Sequence, residues 1–321
     1  MLRRTFVAAA MMLPSAALPP AARAQGKTLR IVVSFPPGGP VDFVARALAE
    51  PLNKELGQTV IVDNKAGANG AIGAAEVARS APDGNTLWLT SVGAAAINPS
   101  LYDKLGYDMS RDLTPVSLVV NNVELLVVNV ADPANDAAEF VANSKKKTQP
   151  TPMASSGIGS IPHLAIEQMM EASGATLLHV PYKGAAPAIT DVMGGQVAGF
   201  FGDIPGLIGH VRGGKVKAIG LASASRHPAL PNVPTLTEQG ILNVDTNNWY
   251  ALFAPVKTPA ATITMLNEAV RRALANPALR ARLLDTGADP APSTPAELAA
   301  LLERDTRKWA RLIRDKKIKA E

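Results

Sequence analysis

Two spacings of apolar residues alternate along this chain. Short runs of apolar, β-branched and aromatic residues at 29–33, 59–62, 86–91, 113–120, 124–130, 177–180, 197–201, 216–222 and 249–254 predict strands, and a further short strand is expected just before Ser155. Between them, apolar positions recur at helical spacing, as at Phe43, Ala47, Leu48 and Leu52 or at Leu164, Met169 and Met170. Helices are expected from Asp42 onward, over 71–80, 136–147 and 187–193, after His163, and over 260–275, 277–286 and 295–318. Strand, helix and strand with short connections predict an α/β fold of mainly parallel sheets with right-handed crossovers. Runs 113–120 and 124–130 follow one another across Asn121 and Asn122 and read as a crossing into a second α/β unit. Run 249–254 reads as the return, with the C-terminal helices belonging to the first unit. The expected division is therefore 25–123 plus 246–321 for one lobe and 124–245 for the other. Two crossings imply a hinge, with a cleft between the lobes.

The loops at the carboxyl ends of the strands carry the candidate chemistry. Phe35-Pro-Pro-Gly-Gly-Pro-Val-Asp42 cannot continue the first strand, because its prolines and glycines break the ladder. It thus joins a strand end to a helix start, where ligands of open α/β sheets bind. A helix start presents unpaired N–H groups and about half a positive charge. At Gly38 and Gly39 no Cβ keeps a ligand from those amides. Met153-Ala-Ser-Ser-Gly-Ile-Gly-Ser160-Ile-Pro-His163 repeats the arrangement in the second unit, with Pro162 in the first helical turn and the hydroxyls of Ser155, Ser156 and Ser160 as added donors. One such loop per lobe predicts a clamp for a small carboxylate. Neither loop contains Arg or Lys, so neutral donors are expected to do most of the binding. Asp42 reads as an N-cap paired with Arg46, with ligand contact as the alternative. Asp203 either caps the helix at Ile204 or receives a ligand's amino group. Tyr182 and Lys183 stand at a strand end, His163 reads as structural, and Trp249 as core or hinge packing.

Composition narrows the classes. The chain has 321 residues, 47% of them hydrophobic, enough for a large core and about two domains. Arg3 and Arg4, the apolar stretch 5–18 and Ala22-Arg23-Ala24 mark residues 1–24 as a cleaved export signal, with adjacent arginines resembling a twin-arginine signal. Removing Arg3, Arg4 and Arg23 takes the formal charge from +5 to +2. No basic cluster with interleaved aromatics appears, so nucleic acid is not an expected partner. There is no cysteine, and His163, His179, His210 and His227 are scattered, so neither disulfides nor a metal site is expected. Nucleotide-binding G-x-G-x-x-G and Walker loops and the G-x-S-x-G elbow are absent, which argues against a cofactor and against hydrolysis. An enzyme built on Ser155 or Ser156 remains the alternative.

Six motifs then give a resemblance. The export signal, Phe35-Pro-Pro-Gly-Gly-Pro-Val-Asp42, Ala154-Ser-Ser-Gly-Ile-Gly-Ser160-Ile-Pro-His163, Val180-Pro-Tyr-Lys-Gly184, Pro187-Ala-Ile-Thr-Asp191 and Leu230-Pro-Asn-Val-Pro-Thr235 occur in the order seen in Bug-type receptors. These are extracytoplasmic solute-binding proteins of tripartite tricarboxylate transporters, and the resemblance covers essentially the whole mature chain. It implies a periplasmic, monomeric, two-lobed fold of periplasmic-binding-protein type, type II-like, closing like a Venus flytrap. It implies a di- or tricarboxylate, amino acid or aromatic acid as ligand, no cofactor, and membrane permease subunits as partners, or alternatively a sensor kinase. It places ligand contacts at Phe35, Gly38, Gly39, Pro40 and Asp42, and at Ser156, Gly159 and Ser160. Ser91, Ser155, Gly157, Tyr182 and Asp203 complete the candidate set. The third-strand loop, Ser91-Val-Gly-Ala-Ala-Ala-Ile-Asn98, is small and apolar where some relatives carry bulkier or polar residues, which marks a specificity position.

Overall fold

The computed structural model describes residues 28–244 and 246–320. The expected export signal lies outside them. From its amino end the described chain forms β1 (Thr28–Val33), α1 (Pro40–Leu56), β2 (Thr59–Asn64), α2 (Ala71–Ala78) and β3 (Thr86–Ser91). A π-helical turn, Gly93–Ile97, leads into α3 (Asn98–Leu101), α4 (Met109–Asp112) and β4 (Leu113–Asn122). The chain then passes through Val123 into β5 (Glu124–Asn129), α5 (Ala137–Lys146), β6 (Thr151–Ser155), α6 (Ile161–Ser173), β7 (Leu177–Pro181), α7 (Ala185–Met193), β8 (Gly199–Asp203), α8 (Ile204–Arg212) and β9 (Val216–Leu221). It returns with β10 (Asn248–Pro255), α9 (Ala260–Ala275), α10 (Pro277–Asp285), β11 (Ala288–Pro290) and α11 (Pro295–Lys316).

The strands form two sheets, one per lobe. The first has the order β11-β4-β10-β3-β1-β2 and the second β7-β6-β8-β5-β9. Helices flank both. Leu29, Ile31 and Val33 point to one face of the first sheet, against Val44, Leu48 and Leu52 of α1, while Val32 and Trp88 point to the other.

The mainly parallel sheets expected from the sequence hold for strand direction and fail for several pairings. β1 with β2 and β3, and β6 with β7 and β8, pair in parallel. β10 pairs antiparallel with β3 and β4, β11 with β4, and β5 with β8 and β9. Four of six strands in one sheet and four of five in the other therefore share a direction. The cause is the crossing itself. Chain that leaves one lobe at the carboxyl end of a strand enters the other sheet at its cleft edge. It must then run against the strands that end there. β5 and β10 are the strands that follow the two crossings, and both are reversed.

Other differences are local. The expected loop at 92–98 is helical, because its small residues pack tightly enough to close turns. The short elements α4 and β11 carry too few apolar positions for their spacing to show.

Candidate functional site

In the first lobe the loop between β1 and α1 is held from below. Ser34 Oγ donates to the Gly70 carbonyl at 3.0 Å and accepts a hydrogen bond from Trp88 Nε1. Asn69 and Asn98 bond to each other through Asn69 Nδ2 and Asn98 Oδ1 at 2.9 Å, and Asn98 Nδ2 donates to the Asn69 carbonyl at 3.1 Å. Loops after three strands are thereby knitted into one wall. Gly38 adopts φ +81°, a conformation that favours glycine. The N-cap of α1 is Gly39 rather than the expected Asp42, because Pro40 starts the helix two residues earlier. Asp42 sits in the first turn, buried, and reaches backwards. Its Oδ2 accepts from the Gly38 amide and Arg46 Nε, and its Oδ1 from Asn64 Nδ2, each at 2.9 Å. Burial works to raise this carboxyl, but the bonds from Arg46, Gly38 and Asn64 outweigh it and hold it below its ordinary range.

In the second lobe Ser160 is the N-cap of α6. Its hydroxyl donates to the Gly157 carbonyl at 2.7 Å and accepts from the His163 amide at 3.4 Å. The Gly157 amide donates to Ser155 Oγ, and the Gly159 amide to His163 Nδ1, both at 3.1 Å. Ser155 Oγ lies 2.5 Å from His179 Nε2, and the His179 ring stacks on His163 at 3.7 Å. Burial, with His163 alongside, lowers His179 to about 3, so it is neutral at physiological pH. Ser155 is buried in this serine–histidine contact and His179 is half-buried.

These loops face each other across a cleft of about 800 Å³, part of it open to solvent. Its walls include the amino ends of α1 (Gly39, Pro40), α6 (Ser160, Ile161) and α7 (Gly184, Ala185, Ala186). Each such end offers first-turn amides and positive potential to an anion. Phe200, Ile189 and Leu207 supply apolar wall, and exposed Lys183 is the one cation among the described lining residues.

The floor lies at the hinge and is acidic. Asn248 Nδ2 donates to Asp203 Oδ1 at 2.8 Å and to Glu124 Oε1 at 3.1 Å, and the Tyr250 hydroxyl donates to Asp203 Oδ2. Burial, the adjacent Asp203 charge and a hydrogen bond to Asp203 hold the Glu124 carboxyl well above its ordinary range. Burial also raises Asp203, against the bonds it accepts from Glu124, Tyr250 and Asn248. Of the two, Glu124 is pushed further toward its neutral form.

Of the sequence-based candidates, Phe35, Gly39, Pro40, Ser91, Ser156, Ser160 and Asp203 line this cleft. Gly38, Asp42, Ser155, Gly157 and Gly159 do not line it, and the amides of the three glycines and the side chains of Asp42 and Ser155 are hydrogen-bonded within the protein. Tyr182 turns away, donating to Asp191 Oδ2 at 2.6 Å, a bond that pushes its hydroxyl up to about 12. Asp203 is the residue preceding α8 and makes no side-chain cap, contrary to one of the two readings given for it. Sequence reasoning missed the turn at 184–187, Asn69, Asn248 and Tyr250. The turn was hidden by starting its helix at Pro187 instead of Ala185. Asn248 and Tyr250 carry a signal, two polar groups on one face of a strand about a fully buried Trp249.

Comparison with known proteins decides the family. The sequence model described as tripartite tricarboxylate transporter family receptor matches residues 44–318. The chain belongs to this family. It is 34% identical over 290 residues to the protein BugT of Bordetella pertussis, covering 90% of this chain and 89% of that one. The structure of the periplasmic binding protein BugD superposes with a TM-score of 0.85 at 35% identity, over 91% of this chain and 98% of that one. MatC from Rhodopseudomonas palustris, solved with bound malate, gives 0.82 at 34% identity, over 89% and 98%. The two-lobed architecture of the family's receptors is thus the architecture here. No helix among the described residues is long and apolar enough to cross a membrane.

Proposed function

We propose that the protein is a non-enzymatic receptor of the periplasm, which captures a small carboxylate between its lobes and delivers it to the permease of a tripartite tricarboxylate transporter. The observation that carries this reading is the convergence of three helix amino ends, two from one lobe and one from the other, on a single cleft. A carboxylate there accepts charge-assisted bonds worth about 1.5–3 kcal/mol each. A few of them, less the cost of ordering, support micromolar binding (on the order of −8 kcal/mol) without a buried cation. A ligand that touches both lobes favours the closed arrangement. Family membership and the malate found in a similar receptor support the ligand class. The leader-like residues 1–24 support export.

Thermal shift against a panel of small carboxylates tests the proposal, since a ligand bound to the folded state raises the melting temperature by mass action. At least one acid is expected to stabilise the protein, and Gly39→Val, which sets a branched side chain on the cleft wall, is expected to abolish that shift. A Gly39 Cβ meets only the Pro36 carbonyl at 3.5 Å, so the ligand-free variant is expected to fold. Undiminished binding by the variant overturns the placement in this cleft. Turnover of ester or amide substrates overturns the non-enzymatic reading.

A further inference from the structure

The floor of the cleft has a polarity opposite to that of its walls. The walls present helix amino ends, which favour anions. The floor presents acceptors. Asp203, Asn248 and Tyr250 line it, and Glu124 stands directly behind. Asp203 is 8% exposed and has no ion-pair partner among the described residues. Its carboxylate accepts from Glu124, Tyr250 and Asn248, and a carboxylate has about four acceptor positions, so one is open. Independently, Asn248, 7% exposed, spends both amide hydrogens on the two carboxyl groups, and its Oδ1 receives no hydrogen bond. An acceptor buried without a donor is costly, and so is a buried charge without a counter-charge. The amino end of α8 beside Asp203 offsets part of that charge and supplies no bond to its side chain.

We infer that this floor is a donor-demanding subsite, and that the carboxylate taken by the cleft carries a protonated amine whose N–H groups reach Asp203 and Asn248 Oδ1. An ammonium brings three donors and the missing charge. A hydroxyl brings one donor and no charge, so it satisfies one acceptor and leaves the other. A plain carboxylate at this place meets the Asp203 charge. The inference rests on the cleft reading above and narrows it from carboxylates in general to amino acids.

Titration calorimetry on matched acids tests it: aspartate, malate and succinate as one series, glutamate, 2-hydroxyglutarate and glutarate as a second, with alanine, leucine and their deaminated counterparts beside them. In whichever series binds, the amine-bearing member is expected to be tighter than its deaminated counterpart by about tenfold or more, as for a charge-assisted bond. In Asp203→Asn the amine advantage is expected to fall below about threefold, while Tyr250→Phe, which leaves the charge in place, retains most of it. Equal or tighter binding of the deaminated acid by the unmodified protein overturns the inference and leaves the carboxylate receptor standing. So does an amine preference that survives in Asp203→Asn. If none of these acids binds while an acid without an amine gives a thermal shift, the inference again fails alone. If no carboxylate of any kind binds, both readings fail together.

Discussion

Ser156 and Ser160 read alike in the sequence and do different work. Ser160 lines the cleft, but its hydroxyl proton goes to the Gly157 carbonyl, and its oxygen caps α6. Ser156 lines the same cleft, half-buried, with its hydroxyl outside that cap. The two substitutions should therefore separate stability from affinity. Ser160→Ala is expected to lower unfolding stability by about 1 kcal/mol, the usual cost of losing an N-cap. Ser156→Ala is expected to leave stability within about 0.5 kcal/mol and to weaken carboxylate binding by about 1–2 kcal/mol. Urea unfolding and calorimetry on the two variants check this. The reverse pattern, with Ser156 governing stability and Ser160 affinity, would show that the hydroxyl roles are exchanged.

Among elements, Asp42 ties three together: the loop through the Gly38 amide, α1 through Arg46, and the end of β2 through Asn64. It is a positioning residue for the first wall of the cleft. Its carboxyl titrates below the ordinary range when folded, so it binds its proton less readily than in the unfolded chain. The stabilisation is therefore complete above about pH 4 and is lost as pH falls through the folded-state value. Asp42→Ala is expected to cost about 1–3 kcal/mol at pH near 7, and the gap to the unmodified protein should narrow below about pH 4. Unfolding in urea at both pH values measures it, and a gap that does not change with pH rejects the ionic part of the account. What was legible in the sequence follows the same physics. The run at 86–91 is a strand at those bounds because Leu87, Trp88 and Leu89 form an apolar centre flanked by the β-branched Thr86 and Thr90. The strand β11 was not legible, because three residues ending in Pro290 give no period. Asp42 was read as a cap because its residue type favours caps, and only the structure shows Pro40 starting the helix first. The glycine amides at 38, 157 and 159 looked available because sequence shows a bare amide and not its acceptor. The acidic floor was read only at Asp203, since Glu124, Asp203 and the pair Asn248 and Tyr250 lie far apart along the chain and meet at the two crossings.

For the whole molecule, the lobes touch through apolar groups as well as across the binding cleft. Ile161 and Leu164 of the second lobe share a buried cluster with Ile97 and Leu101 of the first. Lys316 on α11 pairs with Glu171 on α6 at 2.8 Å, a partly exposed contact worth little by itself. Closure is thus set by how closely the loop before α6 approaches α3. At Gly159 φ is +73°, and a Cβ there would overlap Leu101 Cδ2 and press on Leu101 Cγ, while meeting Ile97 Cγ2 at an ordinary contact distance. Leu101 is 7% exposed and packed on its other sides, so it has little room to yield. A methyl group at Gly159 should then hold the lobes apart without dismantling either sheet. Gly159→Ala also carries backbone strain of about 1 kcal/mol from its left-handed φ, felt in the open and closed arrangements alike. The expected outcome is a ligand affinity reduced about tenfold, equivalent to about 1.4 kcal/mol of lost closure. The scattering-derived radius of gyration in saturating ligand should be larger than that of the unmodified protein. The double variant with Leu101→Ala removes the obstructing atoms and should regain part of the affinity, although the cavity costs stability of its own. Full affinity in Gly159→Ala, or no recovery on adding Leu101→Ala while both variants stay folded, would show that contact between the loop before α6 and α3 does not govern closure.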